Sequence, residues 1–173
     1  MLVTRAAIGL VTIALGMCMA SLSHAKSQSI TASIRFIAPV TLAAVVDPSL
    51  GDFAAGAMGR NFVLGTDGSI SGTDAAAYVG GASAGSIKIQ GSEFQNIDIV
   101  ARNLLADGGV SITRVSCDYG GTGSTDCVSG IASAAPPTHA GTTLLLGLSV
   151  TTTAAHSDGS SAAPTFDIII SYN

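Results

Sequence analysis

The sequence predicts an all-β protein, an antiparallel β-sandwich, and three observations carry that prediction. Apolar residues recur with a period of two in short segments, turn-forming residues separate those segments, and nothing after residue 25 has a helical period. The alternation is clearest at the two ends. In residues 29–36, Ile30, Ala32, Ile34 and Phe36 fall on one face; in residues 165–173, Phe166, Ile168, Ile170 and Tyr172 do the same. A strand at either end of a sheet protein is a candidate edge, and edges are either covered within the molecule or paired with another chain.

Residues 1–25 read as an export signal. Arg5 supplies the positive start, residues 6–22 are largely apolar, and Ser23-His24-Ala25 has the small-x-small form of a cleavage site before Lys26. An uncleaved anchor is the rival reading, but it needs about 20 apolar residues, and this run is short and interrupted by Gly9 and Gly16. Cys18 offers a minor alternative as a lipidation site, although Met17 stands where such signals prefer a small residue. The mature chain is then residues 26–173, enough for one domain with a real core. The protein is expected to pass through the periplasm to the cell surface or an extracellular fibre, with no membrane span after cleavage.

Within that domain the strand-like segments are residues 40–46, 61–64, 69–71, 77–79, 86–90, 97–101, 110–117, 143–152 and 165–172, after an opening strand in residues 26–37. Asp67-Gly68, Asp107-Gly108-Gly109 and Asp158-Gly159 supply the positive-φ positions of tight turns, and residues 80–85 form another small-residue turn. Residues 129–142, with Pro136-Pro137, are expected to be a loop.

Six basic and eleven acidic residues follow the signal, a net charge of −5. Lys88, Arg102 and Arg114 stand alone among apolar and small residues, so no phosphate-tracking cluster exists and nucleic acid is excluded as a partner. Only Cys117 and Cys127 remain after the signal. An even pair in an exported chain predicts a disulfide, closed over a loop containing Gly120, Gly121 and Gly123. Because the loop is short, losing the bond is expected to loosen the loop more than the sandwich.

Gly81-Ala82-Ser83-Ala84-Gly85 matches a nucleophile-elbow pattern, but that motif needs a helix after the serine. Here a strand follows, and His139 and His156 sit in or beside small, polar stretches; the expectation is a turn and no enzyme. Asp67 with Asp74, or Asp118 with Asp126, would offer oxygen ligands to Ca²⁺, yet neither pair has the acidic density of a calcium loop. No metal and no cofactor are therefore expected. The chain has no Trp and its three tyrosines are scattered, which disfavours a sugar-stacking surface.

Leu50-Gly51-Asp52-Phe53-Ala54-Ala55-Gly56, with residues 30–42 before it and residues 71–89 after it, resembles a family of exported bacterial proteins carrying a domain of unknown function. Members show an opening strand with Pro, then F-G-x-F-x-x-G, and a closing strand ending in Tyr. Leu50 stands where that motif usually has Phe, and Ala162-Ala163-Pro164 where G-x-Y often precedes the last strand. The C-terminus is also similar to pilin subunits of the chaperone-usher pathway, which tend to carry a penultimate tyrosine, here Tyr172, and a glycine about fourteen residues earlier, here Gly159.

That resemblance implies an incomplete immunoglobulin-like, pilin-like sandwich completed by a neighbour's N-terminal strand. The donor would be residues 26–37, presenting Ile30, Ala32, Ile34 and Phe36, while Phe166, Ile168, Ile170 and Tyr172 belong to the subunit's own core. The partners implied are further copies or other fibre subunits, a periplasmic chaperone and an outer-membrane usher. The expected function is a structural subunit of a surface fibre, serving adhesion or biofilm. The alternative is a monomeric periplasmic or outer-surface binding module whose first strand stays in its own sheet.

Overall fold

A computed structural model of the protein describes residues 33–56 and 58–173. The expected export signal, Cys18, Lys26, Ile30 and Ala32 lie outside these residues. Twelve strands follow in chain order: β1 Thr41–Val46, β2 Asp52–Phe53, β3 Asn61–Leu64, β4 Ile70–Ser71, β5 Tyr78–Gly80, β6 Gly85–Gln90, β7 Ile97–Leu105, β8 Val110–Tyr119, β9 Thr125–Asp126, β10 Ile131–Ala134, β11 Thr142–Thr152 and β12 Thr165–Tyr172. All named pairings are antiparallel. The only helical element among the described residues is one 3-10 turn, Ala75–Ala77, and no helix there is long and apolar enough to cross a membrane.

The longest strand, β11, organises the larger sheet. Its sequence Thr-Thr-Leu-Leu-Leu-Gly-Leu-Ser-Val-Thr-Thr buries Leu144, Leu146, Leu148 and Val150 at every second position. One of its edges pairs with β8 over residues 144–152, while the other is divided between β6 (residues 142–146) and β3 (residues 148–151). Gly147 sits at the handover. A Cβ there would overlap the Leu64 carbonyl, so the residue must be glycine for the two neighbours to share one edge. β1 extends this sheet beyond β6, β4 beyond β3, and β9 beyond β8.

The second sheet places β7 between β10 and β12, and a small third sheet pairs β2 with β5. Ile97, Ile99 and Ala101 of β7 join Ile87, Ile89, Val115, Cys117 and the β11 leucines in one buried cluster between the two larger sheets. Each such side chain contributes about 1.5–3 kcal/mol on burial, and the result is the antiparallel sandwich the periodicity predicts.

The chain crosses from one sheet to the other at Cys127. Its N–H donates to Val115 of β8 at 2.9 Å, and its carbonyl accepts from Ala101 of β7 at 2.8 Å. The disulfide to Cys117 spans a Cα–Cα distance of 5.6 Å, and both cysteines are fully buried. The bridged residue is thus a joint between the sheets as well as the end of the closed loop.

Two expectations change. Residues 129–142 contain β10, whose Ile-Ala-Ser-Ala sequence is too short and small to announce itself; Ser133 adopts φ +54° at an irregularity in its pairing with β7. The described part of the opening segment, Ser33 to Val40, forms no strand, and the first ladder begins at Thr41, beyond Pro39. Pro39 has no N–H to give a ladder, and the side chains of Ile34 and Phe36 are 80% and 86% exposed.

Candidate functional site

Among the described residues, β1 pairs only with β6, and β12 only with β7. Each therefore leaves one edge of backbone N–H and C=O groups without a strand. These edges flank an open groove of about 820 Å³. Leu42, Val45 and Val46 line one side, Phe166, Ile168 and Ile169 the other, and Ile87, Leu146 and Leu148 of the core also face it. Leu42, Val45, Val46 and Ile169 are about half exposed (46–58%). An apolar cleft between unpaired edges is a place where a strand would gain both a ladder and a core.

Local sequence explains each wall. In β12, Phe166, Ile168, Ile170 and Tyr172 are partly buried and pack against the core cluster, while Ile169, between them, faces outward. In β1, Ala44 takes φ +47° and the register with β6 slips between Ala43 and Val46. That bulge bends the edge where Val45 and Val46 enter the groove. Asp47 and Asp167 also line the groove, which makes it acidic.

The C-terminal strand also holds the chain that precedes β1. The Tyr172 hydroxyl donates to the Ala38 carbonyl and accepts from the Ser92 N–H, both at 2.6 Å. Gly91 beside it leaves room for that hydroxyl: a Cβ would come within 2.5 Å of it and 3.0 Å of Pro137 Cγ. Just before Ala38, the Arg35 guanidinium lies 5.1 Å from the centre of the exposed Phe94 ring. Gly159 occupies an exposed turn with φ +76°, well before β12 begins.

The other candidates resolve into turn chemistry. Ser83 is exposed, bridges Ser49 through two backbone hydrogen bonds of 2.8 and 2.9 Å, and is followed by β6 rather than by a helix. Asp67 accepts from the Ser69 hydroxyl and N–H, and Asp74 from the Asn61 N–H and Thr73 hydroxyl; these bonds hold both carboxyls below their ordinary value of 3.8. Asp118 caps the Gly123 N–H, while Asp126 accepts from Val128 N–H and the Ser129 hydroxyl, with Arg114 4.0 Å away. Among the described residues no three His, Cys, Asp or Glu side chains gather as a metal site.

The groove itself was not legible in the sequence. The apolar run in residues 40–46 marks a strand, but nothing local says that its edge faces that of residues 165–172, more than a hundred positions away. The convergence of Phe53, Phe62 and Tyr78 was equally hidden: Phe53 lies 4.0 Å from the Phe62 ring and 5.6 Å from that of Tyr78. Comparison with protein-family models, with curated proteins and with solved structures gives no match.

Proposed function

We propose that this protein is a structural subunit of a surface fibre, joined to its neighbours by strand complementation. The observation that carries the reading is the apolar groove between the edges of β1 and β12 that have no partner strand among the described residues. An extended segment laid there would hydrogen-bond along an edge and place every second side chain against Ile87, Leu146 and Leu148.

The chain supplies a segment of the required form. Residues 26–37 carry Ile30, Ala32, Ile34 and Phe36 at period two, and at about 3.4 Å per residue they would span about 40 Å, longer than the eight-residue β12. The exposure of Ile34 and Phe36 supports donation to a second copy. Lys26 and Arg35 complement the acidic residues Asp47 and Asp167 of the groove. The similarity of Tyr172 and Gly159 to the C-terminal pattern of chaperone-usher pilins supports the same reading. It implies an immunoglobulin-like subunit whose groove a periplasmic chaperone covers until an outer-membrane usher exchanges it for the next donor. Export through the periplasm to a surface fibre follows from that scheme.

The test compares wild type, a variant lacking residues 26–37, and that variant mixed with a synthetic peptide of residues 26–37. The expected result is concentration-dependent polymer in wild type by size-exclusion chromatography and electron microscopy, and none in the deletion. The peptide should raise the deletion variant's melting temperature, and a peptide carrying Ile34→Asp should not, because it strands a charge in an apolar pocket. If the deletion unfolds while wild type stays monomeric at every concentration, the strand is integral and the monomeric binding module replaces the fibre.

A further inference from the structure

A second cavity, of about 560 Å³, opens between β2, the residues that follow it, and the loop before β12. Its two loops are sewn together by backbone. Gly56 and His156 exchange N–H···O bonds of 3.1 and 3.0 Å, Gly59 donates to the Thr152 carbonyl at 2.7 Å, and the Arg60 N–H donates to Thr152 Oγ1 at 3.0 Å. Gly56 does a second job. A Cβ there would overlap the Arg60 guanidinium, so the missing side chain is what lets that group lie against Gly56 of the bridge to His156.

Two polar groups lining this cavity lack partners among the described residues. His156 Nε2 is buried without a hydrogen bond, and the half-buried Arg60 guanidinium makes no side-chain hydrogen bond and no ion pair within 4.0 Å there, its charge being felt only more weakly at Asp74. A buried polar atom without a partner calls for a ligand or a water. The donor inventory narrows the choice. Guanidinium is donor-only, in a planar fork that matches a carboxylate, and imidazole in its Nε2–H tautomer adds a third donor to the same cavity. Asp52 and Asp158 line the same cavity; they repel a multiply charged anion and accept hydrogen bonds from hydroxyls. Phe53, partly buried against Phe62, adds an apolar wall.

A ligand with one carboxylate, several hydroxyls and an apolar ring face satisfies all of these groups, and a cavity of this size lies within the usual range for small-molecule sites. We infer that the cavity between Arg60 and His156 binds a uronic acid, its carboxylate held by these two side chains and its hydroxyls by Asp52 and Asp158. The inference does not depend on strand complementation: although Leu50, Gly51, Ala162 and Pro164 line both cavities, the groups it uses, Arg60, His156, Asp52 and Asp158, do not line the groove.

Isothermal titration calorimetry of the purified exported protein with galacturonate and glucuronate tests it, with galactose and acetate as controls. At least one uronate should bind saturably, neither control should, and Arg60→Gln and His156→Phe should each weaken binding about ten-fold or more, as loss of a charge-assisted or buried bond does. Circular dichroism checks that the variants fold. Should one fail to, the other decides: weakened uronate binding in a folded Arg60→Gln or His156→Phe protein supports the site. Absence of uronate binding to wild type, equal binding of galactose or of acetate, or full binding by a folded Arg60→Gln or His156→Phe variant overturns it.

Discussion

The Tyr172 hydroxyl and the Ala38 carbonyl are 2.6 Å apart, which ties the next-to-last residue of the chain to the segment that leads into the first strand. The same oxygen accepts from the N–H of Ser92, a residue only 4% exposed. Tyr172→Phe removes both bonds and leaves that N–H buried without a partner. The expected loss is about 1–3 kcal/mol, read as a lower midpoint in urea unfolding. Deleting residues 165–173 should be far worse, since it removes β12 from the core, and is expected to abolish the folded, exported protein in a fractionation assay.

Breaking the disulfide should be felt in both sheets. In a Cys117→Ala/Cys127→Ala variant the unfolded chain gains freedom worth about 2–4 kcal/mol. The Ala101 N–H, bonded to the Cys127 carbonyl, should lose hydrogen-exchange protection along with the Cys127 N–H bonded to Val115. Faster exchange confined to residues 118–126 would show instead that the joint holds without the bond.

Ala44 carries the left-handed backbone of the β1 bulge, at φ +47°. Ala44→Gly relieves the Cβ clash of that conformation and is expected to raise stability by up to about 1 kcal/mol. Ala44→Val, branched at Cβ, should lower it by at least as much. Thermal melts of the two variants check the sign at one position.

Acid should weaken the fold through two exposed turns. Because hydrogen bonds lower the Asp67 and Asp74 carboxyls below 3.8 in the native state, the unfolded chain binds more protons as pH approaches that value. The stabilisation is complete above it and is lost as pH falls through the lower native values. Urea midpoints between pH 6 and pH 2 should fall more steeply in wild type than in Asp67→Asn/Asp74→Asn. At the alkaline end, burial pushes the Tyr119 hydroxyl above 10, only partly offset by the neighbouring Thr142 hydroxyl. Stability should therefore decline as pH rises past 10, and less so in Tyr119→Phe.

Period-two alternation and turn residues were enough to place most of the strands, because a strand's faces are written in consecutive side chains. Residues 61–64 and 165–172 match β3 and β12 at both ends, and residues 143–152 miss one residue of β11. The pairing of Cys117 with Cys127 was legible for a different reason, since the third cysteine, Cys18, falls in the segment read as an export signal. β2, β9 and β10 were not: Asp52-Phe53 and Thr125-Asp126 are two residues each and Ile131–Ala134 has a single large apolar side chain, whereas the equally short β3 and β4 carried Phe62, Leu64 and Ile70 on either side of the turn Asp67-Gly68. Tertiary structure alone decided which edges have no partner among the described residues, that Gly147 hands β11 from β6 to β3, and that Arg60 and His156 line one cavity. Strand order and loop convergence depend on contacts between residues far apart in the chain, and a local pattern reports which face a side chain occupies but not what that face will meet.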